Sequence, residues 1–255
     1  MRSVTFIAAI MFLLLALSMS HSSAEGQLHP GIIIPLYTYP TDGTWSQTIQ
    51  AKFVHPNVPF VVIINPASGP GDSRDRNYVF GVAELQHAGI IVLGYDHTLY
   101  GSRSLSSVKA DARKYVKWYH VNGIFFDNMA HDGTPGHVSY YRSLEAYSVS
   151  AGLTMTVGNA GSSVDADLLG IFNVVCIYEH TGMPATSSID GYAAYGSAGF
   201  YFIAHGVTSF PSSQVLSDLS YVNWIYVTDA GSHGSNPYNK LPAYFSSEVA
   251  FLSTA

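Results

Sequence analysis

Asp127 and Glu179 each close a short apolar run, Gly123-Ile124-Phe125-Phe126 and Val174-Val175-Cys176-Ile177-Tyr178. A carboxyl group set at the end of a buried strand has apolar neighbours that disfavour its charged form, so it can hold a proton near neutrality. Two such groups facing one cleft are the chemistry that breaks glycosidic bonds, one protonated acid and one ionised nucleophile or base. Asp96 and Asp229 end similar runs and join the candidates. The remaining runs end at Tyr37, Asn65, Asn159 and His205, and His97 and His180 follow Asp96 and Glu179. Arg103 is the basic side chain placed to pair with any of these acids.

Other carboxylates fall elsewhere. Glu84, Asp111, Glu145, Asp165, Asp167 and Glu248 lie on or at the start of expected helices and read as solvated surface or helix caps, as do Asp72 and Asp75 in a loop before a helix. Tyr37, Tyr39, Tyr95, Tyr100, Tyr178 and Trp45 sit near the strand ends, and aromatic faces there suit the apolar faces of sugar rings. His97, His131, His180, His205 and His233 suggest a metal. However, the position after the first strand reads Tyr37-Thr38-Tyr39 rather than His-x-His, and no His-Glu-x-x-His occurs. The histidines read as hydrogen-bonding groups, and no metal or other cofactor is called for.

The elements that must position these residues alternate regularly. Strands are expected at Gly31–Tyr37, Pro59–Asn65, Ile90–Tyr95, Gly123–Phe126, Leu153–Gly158, Val174–Tyr178, Phe200–Ala204 and Trp224–Thr228. Helices are expected near Trp45–Phe53, Arg74–His87, Leu105–Tyr119, His137–Ser150, Val164–Phe172 and Ser212–Leu219, with a last one after Pro242. The Gly-, Ala- and Tyr-rich stretch Ser187–Ala198 gives the weakest helical signal. The strands are apolar at successive positions, so both faces are buried, as in a parallel sheet. No G-x-G-x-x-G follows the first strand, which argues against a dinucleotide fold. Eight βα units in 255 residues imply α/β architecture, a single (β/α)8 barrel of the TIM type, with functional groups at the carboxyl ends of its strands.

Composition narrows the partners. Charged residues are only 11% of the chain, the net charge is −6, and eighteen tyrosines carry much of the polarity. No basic footprint for nucleic acid is present. Arg2, the apolar run Val4–Leu17 and Ser22-Ser23-Ala24 have the order of a secretory signal. Residues 1–24 are therefore expected to be removed, leaving a barrel domain over 25–255, secreted or at the cell surface, with no stable membrane insertion. Cys176, the single cysteine, reads as a buried apolar residue, so stability must come from core burial.

Three longer motifs resemble a known family: Ile34-Pro35-Leu36-Tyr37-Thr38-Tyr39-Pro40, Asn65-Pro66-Ala67-Ser68-Gly69-Pro70-Gly71, and Gly94-Tyr95-Asp96-His97-Thr98-Leu99-Tyr100-Gly101-Ser102-Arg103. With Gly123–Asp127, Thr228-Asp229, Asn236-Pro237-Tyr238 and Leu241-Pro242 they are similar to the spherulin-4 (spherulation-specific) family, secreted or surface barrels. Its fungal relatives resemble glycoside hydrolases that cut galactosaminogalactan at N-acetylgalactosamine-containing stretches. The resemblance implies a polysaccharide substrate or ligand and catalytic carboxylates at Asp127 and Glu179, with Asp127 read as acid/base and Glu179 as nucleophile or second base, or the two roles exchanged. Tyr37, Asn65, Asp96, His97, Tyr100, Arg103, Asn128, Asn159, His205 and Asp229 are the expected sugar contacts. It also implies a second acid directly after the first, where this chain has Asn128. A barrel that binds glycan without cutting it is the alternative expectation.

Overall fold

Strands β1 (Gly31–Pro35), β2 (Phe60–Ile64), β3 (Ile91–His97), β4 (Gly123–Asp127), β5 (Met155–Asn159), β6 (Val174–Thr181), β7 (Phe200–His205) and β8 (Trp224–Val227) pair in parallel in chain order. β1 then pairs with β8 and closes the barrel. The structure, a computed structural model, describes residues 29–231 and 236–255; the expected secretory segment and His233 lie outside them. The (β/α)8 architecture expected from the sequence is the one observed. Helices α1 (Gly43–Val54), α2 (Arg76–His87), α3 (Leu105–Tyr119), α4 (Pro135–Ser150), α5 (Ser212–Asp218) and α6 (Phe245–Leu252) pack outside it.

Local chemistry explains where these elements begin. Asp42, Asp75, Ser104 and Thr134 sit in extended backbone, and each side chain accepts an amide hydrogen from the first turn of α1, α2, α3 or α4. Asp75 is thus the cap its position suggested. One expected helix does not form. Val164–Phe172 contains only a 3-10 turn, Ala166–Leu168, capped by Asp165. Gly170, at φ 70°, turns the chain out of helical geometry within one further turn. Three short 3-10 turns, Thr186–Ser188, Asp190–Tyr195 and Ser197–Gly199, occupy the connection from β6 to β7.

A second difference concerns Glu248. Rather than lying on the surface, it is fully buried. Its Oε1 accepts the amide hydrogen of Val227 at 2.9 Å, tying α6 to the end of β8, while Oε2 has no partner among the described residues. Burial pushes this carboxyl from 4.5 up to about 8. A carboxyl raised on folding contributes stability that is fully present below its unfolded value and is lost as pH climbs through the folded one. Glu248→Gln keeps an acceptor for Val227 without a charge. Its melting temperature should exceed that of the wild type at pH 8 and match it near pH 4. The gain should be on the order of 1–4 kcal/mol at the upper pH, read as several degrees in paired thermal melts.

Candidate active site

Side chains alternate along each barrel strand between the interior and the helical layer. At the carboxyl ends the interior positions bring together Tyr37, Asn65, Tyr95, Phe125, Asp127, Asn159, Glu179 and Ile203. Tyr238 enters from the loop after β8, and together these residues line a cavity of about 120 Å³. A wider cavity of about 330 Å³ shares Asp127, Asn159 and Glu179 and extends past Tyr100, Asn128, Gly161, Ser162 and His180. The two expected carboxylates therefore meet at one opening.

Glu179 reaches it through an irregularity. Cys176 pairs with Tyr201 but Tyr178 with Phe202, so β6 carries an extra residue at Ile177. That bulge changes the parity of the strand and places Glu179 on the interior side. Asp127 needs no such device, because it follows Phe125 at period two and faces His97 in the β3–β4 register. Its loop is clamped from behind. Thr98 donates its amide hydrogen to the Asp127 carbonyl at 2.8 Å, and Tyr100 donates its own to the Asn128 carbonyl at 2.7 Å. Leu99, Tyr100 and Asn128 all take left-handed backbone, at φ 49°, 54° and 49°. That conformation is costly for side-chain-bearing residues and persists only where surrounding bonds fix it.

Hydrogen bonds link the pair. Asn159 Nδ2 donates to Asp127 Oδ1 at 2.8 Å and to Glu179 Oε2 at 2.6 Å. Tyr95 donates its hydroxyl hydrogen to Asp127 Oδ2 at 2.7 Å, and Tyr238 donates its own to Glu179 Oε1. Burial raises the Glu179 carboxyl above the ordinary range; the Tyr238 and Asn159 hydrogen bonds pull it back, the Asp127 charge adds to the rise, and His180 opposes it. Two hydrogen bonds from one nitrogen fix a short span. Laid end to end they bound the nearest carboxyl oxygens to within about 5.4 Å of each other, so the two acids lie close across one opening, as the ~5–5.5 Å carboxyl pairs of retaining glycosidases do.

Several expected contacts sit elsewhere. Asp96 points away from the opening: it is fully buried on the helical side, paired to Arg103 at 2.5 Å. Arg103 also pairs with Asp111 on α3. Neither Asp96 nor Arg103 reaches the cleft, because Asp96 has the opposite parity to Tyr95. Asp229 pairs with Lys240 at 3.3 Å, and His205 Nδ1 lies 3.2 Å from Thr181 Oγ1; neither lines the two cavities. His97 shares the interior face with Asp127 and is half-buried, its imidazole pushed toward the neutral form by burial and by the Arg103 charge. Trp45 is buried, donating Nε1–H to the Thr38 carbonyl, and Tyr39 donates to Asp75, so both brace the loop after β1. Tyr238 ends no apolar run and escapes a search for strand ends. Its local signal is Asn236-Pro237-Tyr238, where the Asn236 side chain accepts the Tyr238 amide hydrogen and turns the chain inward.

A model of the spherulation-specific family 4 matches residues 31–252. Spherulin-4 of Physarum polycephalum is 31% identical over 249 residues, covering 90% of this chain and 72% of that protein. The chain belongs to the spherulin-4 family. Among solved structures, this spherulin-4 barrel resembles that of Aspergillus clavatus Sph3, crystallised in complex with GalNAc, with a TM-score of 0.79 and 24% identity over 89% of this chain and 99% of that one. The GH18 chitinase ChiB of Flavobacterium johnsoniae gives 0.54 at 9% identity, over 86% and 94%. The YdjI aldolase of Escherichia coli gives 0.55 at 12%, over 88% and 87%. A chitinase and an aldolase at equal likeness share the barrel and not a reaction.

Proposed function

We propose that this protein is a secreted or cell-surface glycoside hydrolase that cuts within a polysaccharide containing N-acetylgalactosamine or galactosamine, with retention of configuration. The observation that carries the reading is the single amide nitrogen bonded to both strand-end carboxyls, a close pairing that supports direct attack by one of them on the sugar. Glu179, the carboxyl raised by burial, donates its proton to the departing glycosidic oxygen. Asp127, aimed by Tyr95 and Asn159, attacks the anomeric carbon and forms a glycosyl ester. Glu179 then takes a proton from water, whose oxygen displaces Asp127 and releases the sugar. Tyr100, 59% exposed at the lip of the wider cavity, offers a stacking face to a neighbouring sugar. Family membership and the likeness to a GalNAc-bound barrel support an amino-sugar polymer as substrate.

Asn128 favours a second reading, a barrel that binds such a polymer without cutting it. It stands where the family resemblance implies another acid, and an amide cannot exchange a proton as a carboxyl does. Incubation with acetylated and deacetylated galactosamine polymers separates the two. Hydrolysis should release reducing ends whose first-formed anomer, followed by NMR, has the configuration of the bond cut. Binding without new reducing ends would establish the second reading, and an inverted product would refute the retaining mechanism.

A further inference from the structure

We propose that Asn159 is a positioning residue rather than a sugar contact: one neutral amide holds both carboxyls in register while the proton they need moves on and off Glu179. The inference rests on the glycosidase reading and deepens its account of the pair. Both hydrogens on Nδ2 are committed, one to Asp127 and one to Glu179. Oδ1 is buried and has no partner among the described residues, with Gly161 packed beside it. The two hydrogens are spoken for, and the one atom left over, Oδ1, is buried out of a ligand's reach. The reverse amide orientation would set an oxygen against two carboxyl groups and leave two hydrogens without acceptors, so the bonding pattern fixes which way it faces.

The neutrality of the linker is what the chemistry uses. A lysine or arginine there would hold both carboxyls ionised and leave no acid. An amide favours the charged form of each only modestly. Each hydrogen keeps its own carboxyl oxygen whether Glu179 is protonated or not, so the spacing survives the change of role between the two steps. Other ionisable groups face the pair. His97 and His180 flank it from β3 and β6. Tyr37, Tyr95, Tyr201, Tyr238 and the Cys176 thiol are all raised by burial and stay neutral.

The two-sided bond gives a test that needs no substrate. Carbon-13 NMR of the side-chain carboxyls follows Asp127 and Glu179 through a pH titration in wild type, Asn159→Ala and Tyr238→Phe. In Asn159→Ala both titrations should move upward, because each carboxylate loses a donor. In Tyr238→Phe that of Glu179 should move most, and that of Asp127 only through its coupling to Glu179. If Asn159→Ala loses its near-ultraviolet circular dichroism, the isosteric Asn159→Asp takes its place, and both titrations should move further up because a like charge replaces a donor. Movement of one titration alone, or of neither, in the Asn159 variant overturns the proposal. A failed hydrolysis assay would count against the glycosidase reading and leave this result readable.

Discussion

Glu179→Gln and Asp127→Asn should each lower the release of reducing ends by about a thousandfold or more, with the barrel intact by circular dichroism. General acid catalysis alone contributes roughly a hundred- to ten-thousandfold, and the two groups act on one bond, so the double variant should fall little below the worse single one. Smaller side chains separate the roles. With Asp127→Ala, added azide should attack the sugar directly and give a glycosyl azide of inverted configuration. With Glu179→Ala, azide should intercept the glycosyl ester and give the retained one, provided the substrate has a leaving group that needs no acid. The opposite pairing of products would exchange the two roles. Equal turnover in wild type and both conservative variants would remove the mechanism altogether.

The barrel was legible because each strand is a short apolar run buried on both faces, and parallel strands of that kind need helices between them. Four of the six helices begin at side-chain caps that the sequence shows. The segment Val164–Phe172 misled because Leu168, Ile171 and Phe172 are buried at helix-like spacing, yet Gly170 at positive φ breaks the turn between them. At the barrel mouth, the end of a strand located Asp127, Asn159 and Asn65 on the cavity, and was incomplete for Asp96. Adjacent residues on a strand face opposite sides, so Tyr95 and Asp96 cannot both enter the cleft, and Tyr95 is the one whose parity matches Phe125 and Asp127. Glu179 lies inside only because of the bulge at Ile177, which no period-two count anticipates. Glu248 was misplaced for a related reason: its position on the last helix is clear, but its burial is decided by the free amide of Val227 at the end of β8.

Arg103→Ala should test the reassignment of Asp96 from sugar contact to structural ion pair. Asp96 is fully buried, with one oxygen on Arg103 and the other without a partner among the described residues. Burial pushes its carboxyl up to about 8, and the Arg103 guanidinium is the main force opposing that rise. Removing one partner of a buried pair typically costs about 3–5 kcal/mol. For a domain of this size that corresponds to a fall of roughly 6–20 °C in melting temperature above pH 8, where Asp96 is ionised in the wild type. The sign of the pH dependence follows from the same group. A buried carboxyl that has lost its cation is harder to ionise, so the deficit against wild type should be small while Asp96 stays protonated in both, and should widen as pH rises through about 8, where the wild-type carboxyl ionises beside Arg103 and the variant's does not. Asp96→Asn in the Arg103→Ala background should recover part of the loss, since the two residues share one interaction. Well below the melting temperature, KM for polymer should stay within a few times that of wild type, because the guanidinium lies on the helical side of β3 with Asp111. A large rise in KM with an unchanged melting temperature would instead return Arg103 and Asp96 to the cleft.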